Sequence, residues 1–188
     1  MLFGAQPFTS KLVMSKLDWF KYSLVWDKNK CGSPGLAKIR PMIVHEDILV
    51  FARGKTTYNP IMEVGEPYHR KSKNPEGYVS KHNTHGYGLK PRIEFKNEGT
   101  RYPKSVRSVS RDFSAQQQVH PTQKPAPLLR WLIKTYSNEN ELVLDNCMGS
   151  GSTGVACLLE NRNFIGIELD PEYFKIATNR IEAVSVTN

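Results

Sequence analysis

The chain has 188 residues, enough to bury one core of ordinary size, which predicts one domain or one domain with an insertion. Its 26 Lys and Arg against 18 Asp and Glu give a formal charge of +8, which favours a polyanionic partner, although a modest excess also serves solubility alone. The three cysteines lack metal-ligand spacing, which argues against a disulfide scaffold and a metal site and indicates a reduced cytoplasmic protein. The lack of any long apolar run argues against an exported protein and a membrane span.

Residues 1–54 predict alternating strands and helices. Thr9 or Ser10 is expected to cap a short helix whose inward side carries Leu12, Val13 and Leu17. The apolar runs 20–26 and 47–53 predict two strands, and the residues between them predict a polar loop that contains glycine and proline. This part of the chain therefore indicates an α/β core.

Residues 55–115 differ in character from the rest. Twelve Lys and Arg and six acidic residues give this stretch a net charge of +6, and aromatic and histidine side chains are interleaved with the charges. Cations that meet phosphates and planar side chains that meet bases predict a DNA-reading element, while a solvated mobile loop is the alternative. The only close histidine pair, His82 and His85, lacks the partners of a metal site, so no metal is predicted.

The segment 120–125, HPTQKP, leads into a predicted helix over residues 126–136. The helix buries four apolar side chains: Leu128, Leu129, Leu132 and Ile133. By composition alone, HPTQKP is a helix entrance with a structural histidine. A last helix is predicted from Pro171 to about Ala183, with a stripe of core residues: Tyr173, Phe174, Ile176, Ala177 and Ile181.

Between these helices lies the sequence ELVLDNCMGSGSTGVACLLENRNFIGIELD, residues 141–170, which predicts strand, glycine-rich turn, helix and second strand. Glu168 near the end of the second strand is placed to accept hydrogen bonds from two ribose hydroxyls. No Gly-Lys-Ser/Thr follows the turn, so a phosphate loop is excluded, and Asp145 would repel a pyrophosphate but suits a cationic ligand. The unit predicts a nucleoside-containing cofactor, with a nicotinamide dinucleotide as the alternative.

These motifs in this order resemble the C-terminal half of the beta-class amino DNA methyltransferases. HPTQKP precedes LDNCMGSGSTG by some twenty residues, FIGIELDPEYFKIATNRI follows, and the upstream stretches LFGAQPF and FKYSLVWDKNK resemble that family's strands after its catalytic motif. The resemblance covers nearly all of the chain except the basic insertion. It implies an incomplete, Rossmann-like α/β sheet of an S-adenosylmethionine-dependent methyltransferase, with a core of residues 1–54 and 116–188 and a target-recognition insertion of residues 55–115.

The resemblance also implies a cofactor, a substrate and a set of binding residues. The cofactor is S-adenosylmethionine, and its methyl group goes to the exocyclic amine of a base flipped out of double-stranded DNA. The residues implied to surround the methionine part are Asp145, Asn146, Cys147, Gly149, Ser150, Gly151, Ser152 and Thr153. Glu168 is implied to hold the ribose, and Thr122, Gln123 and Lys124 are implied to line the opposite wall. Asp145 is expected near the ammonium group of the cofactor.

The sequence departs from the family at its catalytic motif, Asp/Asn/Ser-Pro-Pro-aromatic, because the chain contains no Pro-Pro pair. The family pattern places that motif just upstream of LFGAQPF, so the chain is expected to begin after it, and no residue is assigned a catalytic role. Without that central strand, exposed sheet edges and apolar surface are expected, which favours rearranged pairing, a homodimer or a missing N-terminal partner.

Three interpretations follow from these observations. The leading one is a fragment or degenerate member of the DNA amino-methyltransferases, of the N6-adenine kind, with N4-cytosine methylation as the alternative. The second is a DNA-binding protein without catalysis, and the third is a nicotinamide-dependent enzyme. The last is disfavoured because no substrate domain follows the cofactor unit.

Overall fold

The computed structural model describes residues 1–30, 34–71, 94–111 and 118–185. The chain divides into two compact units, residues 1–60 with 104–188 and residues 61–103. That residues 55–115 form a target-recognition insertion stays a prediction, and His82 and His85 lie outside the described residues. Within the described ranges, no helix is long and apolar enough to cross a membrane.

The larger unit contains a four-stranded sheet in the order β1-β3-β2-β8. Its strands in that order are Leu2–Gly4, His45–Phe51, Phe20–Asp27 and Val106–Ser108. Strand β3 pairs antiparallel with both β1 and β2, and β8 runs parallel to β2. Both apolar runs predicted as strands are confirmed, and both extend further toward the β2–β3 connection because antiparallel pairing continues as far as Asp27 and His45. The central strands bury Leu24, Trp26, Ile48, Leu49 and Val50.

Helix α1 spans Phe8–Ser15 and begins directly after Pro7, so the expected caps at Thr9 and Ser10 are wrong. Thr9 is buried, and its hydroxyl donates a 2.8 Å hydrogen bond to Oδ2 of Asp47 on β3. This contact needs Gly4, because a Cβ at that position would stand 2.9 Å from the Thr9 oxygen. Leu17, expected to face inward, follows the helix and is 58% exposed.

The remaining elements of the larger unit form a parallel strand pair with helices against it. In chain order they are α2 Ala126–Tyr136, β9 Leu142–Asp145, α3 Ser152–Leu159, β10 Asn163–Gly166 and α4 Pro171–Ser185. Strands β9 and β10 are parallel and in register from the pair Leu142 and Asn163 to the pair Asp145 and Gly166. The predicted succession of strand, glycine turn, helix and strand is confirmed.

The core beside β9 and β10 is built from helices α2 and α3. Its buried cluster consists of Leu129, Ile133, Ala156 and Cys157, with Phe3, Val143 and Phe164 packed against it. All four residues predicted on the buried side of α2 are buried. In α4, Ala177 is fully buried, but Phe174 is 48% exposed, so its assignment to the core is wrong.

The smaller unit is made of short antiparallel pairs. Strand β4, Glu63–Val64, pairs with β7, Thr100–Arg101, and strand β5, Tyr68–Lys71, pairs with β6, Glu94–Asn97. The guanidinium of Arg101 lies 4.6 Å from the centre of the Tyr68 ring. A cation over an aromatic face stabilises this unit, which has few apolar side chains to bury.

Candidate cofactor-binding site

The site begins at the carboxyl end of strand β9, where Asp145 holds the turn that follows. Its Oδ2 accepts a 2.6 Å hydrogen bond from the hydroxyl of Thr153 in the first turn of α3. Its Oδ1 accepts a 3.2 Å hydrogen bond from the backbone N–H of Cys147. One carboxylate therefore ties the strand, the turn and the helix together, because it has acceptor sites on both oxygens.

Two glycines give the turn its shape. Gly149 and Gly151 have φ of +51° and +73°, in the left-handed region where a side chain is strained. A Cβ on Gly151 would stand 2.8 Å from the Cβ of Ala177, so the glycine allows α4 to pack directly on the turn. A Cβ on Gly149 would stand 3.3 Å from the His120 ring. The turn thus approaches both neighbours more closely than other residues permit.

Glu168 follows strand β10 and closes the turn from the other side. Its Oε2 accepts a 2.8 Å hydrogen bond from the N–H of Gly149, and its Oε1 accepts bonds from the N–H groups of Leu169 and Asp170 at 2.9 and 3.0 Å. The donors at Asp170 and Gly149 lower the pKa of Glu168 most, and Leu169 and the nearby His120 add to the effect. The carboxylate is therefore ionised and fixed in direction.

The second wall of the site is the segment of residues 120–124 before helix α2. The side chain of Gln123 is 5% exposed, and its Oε1 accepts a 3.1 Å hydrogen bond from the N–H of Val119. The N–H of Gln123 donates to the His120 carbonyl at 3.1 Å, and the N–H of Thr122 donates to Nδ1 of His120 at 3.2 Å. These bonds fold the segment into a tight turn with its side chains fixed.

His120 belongs to the site, although the sequence indicated only a structural role. Because Nδ1 accepts from Thr122, the neutral ring carries its proton on Nε2. The ring packs against Gly149 and makes an edge-on contact with Tyr173, with the ring centres 4.3 Å apart. The only sequence signal for this position was its adjacency to Thr122, Gln123 and Lys124.

Lys124 is held by a charge network that joins it to the four-stranded sheet. Its Nζ lies 3.3 Å from a carboxylate oxygen of Glu46 on β3, and Lys28 lies 2.7 Å from the other oxygen. Burial raises the pKa of Glu46, but the hydrogen bond from Lys28 and the charge of Lys124 outweigh burial and leave the pKa below its usual value. Lys124 also lies 4.9 Å from the centre of the Phe3 ring.

These elements enclose a cavity of about 510 Å³. Ten of the twelve predicted binding residues line it: Thr122, Gln123, Lys124, Asp145, Asn146, Cys147, Gly149, Ser150, Ser152 and Thr153. The other two, Gly151 and Glu168, do not line it: Gly151 lies against Ala177, and Glu168 accepts the N–H of the lining residue Gly149. His120 and a group of apolar residues complete the wall: Leu2, Phe3, Phe8, Leu12, Leu129 and Val143. A mainly apolar cavity with a few fixed polar groups is typical of cofactor sites.

The cavity also lies where two sheets end. Strands β1 and β9 are edge strands of separate sheets, and both contribute residues to its wall. The β9–β10 pair has one face against α3, and its other face is apolar and exposed. Leu142 and Leu144 on that face are each 61% exposed. Unpaired edges and uncovered apolar surface, as the sequence led us to expect, are thus present in the described part of the chain.

A model of the N6/N4 DNA methylase family matches residues 6–179. The chain is 48% identical over 69 residues to the type II methyltransferase M2.DpnII of Streptococcus pneumoniae, which covers 37% of this chain and 26% of that protein. It is 44% identical over 66 residues to the DNA adenine methyltransferase YhdJ of Escherichia coli, covering 35% and 22%. It is 27% identical over 177 residues to the type II methyltransferase M.Cfr9I of Citrobacter freundii, covering 94% and 49%. The chain therefore matches no more than about half the length of these relatives.

Two solved structures are similar over almost the whole chain. The crystal structure of the M1.HpyAVI complex with S-adenosylmethionine has a TM-score of 0.63 and 27% identity, covering 95% of this chain and 72% of that one. The cytosine-N4-specific PvuII DNA methyltransferase has a TM-score of 0.59 and 18% identity, covering 95% and 61%. At that lower identity the likeness concerns the fold alone, and it supports the predicted α/β methyltransferase architecture.

Proposed function

This chain belongs to the N6/N4 DNA methylase family, and from that premise we propose that it binds S-adenosylmethionine in the cavity between Asp145 and Lys124. We further propose that the protein of which this chain forms the cofactor-binding part transfers the methyl group to an exocyclic amine in double-stranded DNA. The observation that carries the proposal is the cavity itself, because two segments distant in sequence meet there with fixed polar groups.

The donor set fits this cofactor in charge and size. The Asp145 carboxylate lies at the cavity wall, where it suits the ammonium and sulfonium charges of S-adenosylmethionine and disfavours a pyrophosphate. A volume of about 510 Å³ falls within the range of small-molecule sites, roughly 300–1,000 Å³. Glu168 uses three acceptor positions for backbone N–H groups, and a carboxylate with about four such positions keeps one for a ribose hydroxyl, not the two hydroxyls expected from the sequence.

When bound, S-adenosylmethionine supplies an electrophilic methyl group on a sulfonium centre. This chain contributes orientation: Asp145 bonds both flanks of the turn, Glu168 bonds Gly149 between them, and the segment 122–124 forms the facing wall. Fixing a reactant in one geometry removes part of the entropic barrier to reaction. Apolar side chains such as Phe3 and Leu129 line the cavity and would limit the water around a bound cofactor.

The acceptors that hold the target amine are not assigned to this chain, since its sequence has no Pro-Pro pair. We propose that they stand on a further strand between the edges of β1 and β9, where paired backbone groups would also cover part of the exposed apolar surface. The remainder of a longer protein, a separate N-terminal partner or a second copy of this chain are the possible sources of that strand.

The favoured target is the N6 amine of adenine. The support is a relative named as a DNA adenine methyltransferase, to which the chain is 44% identical over 66 residues. N4-cytosine methylation is the alternative within the family. Digestion of methylated DNA to nucleosides, followed by mass spectrometry, separates N6-methyladenine from N4-methylcytosine.

Calorimetric titration with S-adenosylmethionine, with NADH as control, tests the cofactor proposal. We expect binding of S-adenosylmethionine alone, and roughly a tenfold to hundredfold loss in Asp145→Asn, because a hydrogen-bonded charge pair contributes energy of that order. The matched control is Asp18→Asn, whose carboxylate lies on the surface in an exposed pair with Lys16. Binding of NADH instead, or equal affinity in both variants, would contradict the proposal.

A tritiated methyl-transfer assay on DNA with the same sample tests the second part. Transfer by this chain alone would show that the amine-holding groups are present in it, against our assignment to a further strand. Cofactor binding without transfer would support that assignment. The assay is then repeated at saturating cofactor with each proposed source of the further strand added. DNA binding without methyl transfer under all of these conditions would favour the non-catalytic DNA-binding alternative.

A further inference from the structure

The connection between strands β2 and β3 is an exposed segment of the larger unit that carries cations and no acidic residue. Residues 28–44 contain four cations and no acidic residue: Lys28, Lys30, Lys38 and Arg40. Lys28 is paired with Glu46 and mostly buried, so it does not belong to the exposed surface. Every side chain of the described portion 34–44, here called the basic loop, is exposed. The basic loop also exposes large apolar side chains: Leu36, Ile39, Met42, Ile43 and Val44. An exposed surface that is both cationic and apolar is suited to a partner that offers both anionic and apolar groups.

The basic loop has a defined conformation. The N–H groups of Ile39 and Arg40 donate to the Leu36 carbonyl at 2.9 and 3.0 Å, which makes a helical turn with residues 38–40 at its tip. The N–H of Lys28 donates to the Val44 carbonyl at 2.8 Å and closes the base. Neither Lys38 nor Arg40 has an ion pair within the described residues. Both charges are therefore exposed to solvent in the described part of the chain.

The base of the basic loop lies next to the cofactor cavity. Strand β3 starts at His45, one residue before Glu46, which is paired with the cavity residue Lys124 at 3.3 Å. Asp47 on the same strand pairs with Gly4 at the carboxyl end of β1, which also lines the cavity through Leu2 and Phe3. The loop thus leaves the sheet at the ends of β2 and β3, next to Glu46, which holds the cavity residue Lys124.

We propose that the basic loop is a second DNA-contacting element, separate from the predicted insertion of residues 55–115. Lys38 and Arg40 contact backbone phosphates on either side of Ile39, and the Ile39 side chain, 79% exposed, lies against a base step. This assignment rests on the proposed function for the identity of the partner as DNA. Any contacts that the insertion makes with DNA would be additional to it.

Charge decides between DNA and a protein partner for this surface. Cores of protein–protein interfaces are depleted of charged residues, especially lysine, whereas here two cations flank the most exposed apolar side chain of the basic loop. Proteins that bend or unstack a duplex combine cations with apolar wedges such as isoleucine and methionine. The alternation Lys38-Ile39-Arg40 matches that combination.

The test is fluorescence anisotropy of a labelled DNA duplex at several salt concentrations. We expect the variant Lys38→Ala/Arg40→Ala to lower the slope of log affinity against log salt by about 1.8, since each phosphate contact contributes about 0.9. The matched control is Lys11→Ala/Lys21→Ala, which removes two exposed lysines from helix α1 and the start of strand β2. The control is expected to keep the wild-type slope, and equal slopes for the two variants would overturn the proposal.

A second variant separates the contribution of the apolar Ile39 side chain from that of the two cations. Ile39→Ser is expected to weaken duplex binding roughly tenfold with an unchanged salt slope, because it removes no charge, whereas Leu17→Ser, also on an exposed residue, leaves binding unchanged. Loss of self-association in the Ile39→Ser variant with unaltered DNA affinity would identify the loop as a contact between copies and overturn the proposal.

Calorimetry with S-adenosylmethionine on the same samples keeps this proposal distinct from the proposed function. Normal cofactor binding by the Lys38→Ala/Arg40→Ala variant shows that its cavity is folded, so its DNA defect supports the basic loop. A wild-type chain that binds the cofactor but has no salt-dependent affinity for the duplex overturns the loop assignment and leaves the cofactor site standing. Loop-dependent DNA binding without cofactor binding supports the loop and contradicts the cofactor proposal.

Discussion

The Oε2 atom of Glu168 accepts a 2.8 Å hydrogen bond from the backbone N–H of Gly149. This bond joins the end of the second parallel strand to the glycine turn that follows the first, so the two acidic strand ends are set relative to each other by one carboxylate. Helix α4 reinforces the arrangement, because Ala177 packs against Gly151 in the same turn. The cofactor site is therefore shaped by contacts within residues 141–185, and its opposite wall is added from outside.

Replacement of Glu168 by glutamine tests the role of this carboxylate in cofactor binding. Glutamine keeps one carbonyl acceptor but loses the charge and half of the acceptor positions, so the turn loosens and the ribose contact weakens. We expect S-adenosylmethionine affinity to fall roughly tenfold to hundredfold by calorimetry. Glu172→Gln, on the first turn of α4, is the control. A Glu168→Gln variant with wild-type affinity would show that Glu168 only shapes the turn.

The same carboxylate predicts how stability changes with pH. Its pKa is lowered from 4.5 by the backbone N–H groups of Asp170 and Gly149, so the folded state favours the ionised form. The stabilising contribution is complete above about pH 4.5 and is lost as the pH falls through the lowered pKa. We expect the difference in Tm between wild type and Glu168→Gln to be constant near neutral pH and to shrink in acid. A difference that grows in acid would contradict this reasoning.

The charge network between the sheet and the second wall predicts a stability effect for Glu46→Gln. This change leaves Lys28 and Lys124 near each other without the carboxylate that both contact. We expect a loss of about 1–2 kcal/mol in the free energy of unfolding, measured with urea, because both lysines are mostly buried. Asp18→Asn breaks an exposed pair with Lys16 and is expected to change stability by less than about 0.5 kcal/mol. Equal losses in both variants would argue against the network.

The close packing of the glycine turn predicts a large effect for Gly151→Ala. The added Cβ would stand 2.8 Å from Ala177 at a φ of +73°, so both overlap and backbone strain oppose the substitution. We expect a loss of about 2–4 kcal/mol in the free energy of unfolding. In contrast, Gly54→Ala meets nothing within 4 Å and is expected to change stability by less than about 1 kcal/mol. Urea unfolding of both variants makes the comparison.

Cysteine labelling reports directly on occupation of the cavity. Cys147 is exposed and lines the cavity, whereas Cys157 is buried, and burial raises its pKa to about 12. We expect maleimide to label Cys147 and to leave Cys157 unmodified, as read by peptide mass spectrometry. Burial and the nearby Asp145 raise the pKa of Cys147, so its labelling rate increases with alkaline pH.

Saturating S-adenosylmethionine is expected to protect Cys147 from the reagent, because the bound cofactor would stand between the thiol and solvent. NADH is the control ligand. Unchanged labelling of Cys147 in the presence of bound S-adenosylmethionine would mean that the cofactor occupies another part of the cavity. Labelling of Cys157 without denaturant would show that the core between α2 and α3 opens.

The sequence by itself determined the elements whose signals are local. The strand, glycine turn, helix and second strand follow from apolar runs and turn residues close together in the chain, and Asp145 and Glu168 stand at strand ends for the same reason. The buried side of α2 was predictable because helical periodicity places Leu128, Leu129, Leu132 and Ile133 on one face. The predicted burial of Leu17 and Phe174 was wrong, because an apolar side chain at the right helical spacing can still be left exposed.

Only the tertiary structure decided which distant segments meet. The pairing of Lys124 with Glu46, the place of Phe3 in the cavity wall and the contact of His120 with Tyr173 depend on how separate elements pack, which no local pattern specifies. The order β1-β3-β2 likewise depends on antiparallel pairing between strands that are separated in sequence. Local propensity depends on neighbouring residues, whereas such contacts arise when whole faces are buried. The contacts that hold the second wall, and the proximity of the basic loop to Glu46, therefore became apparent only in the folded chain.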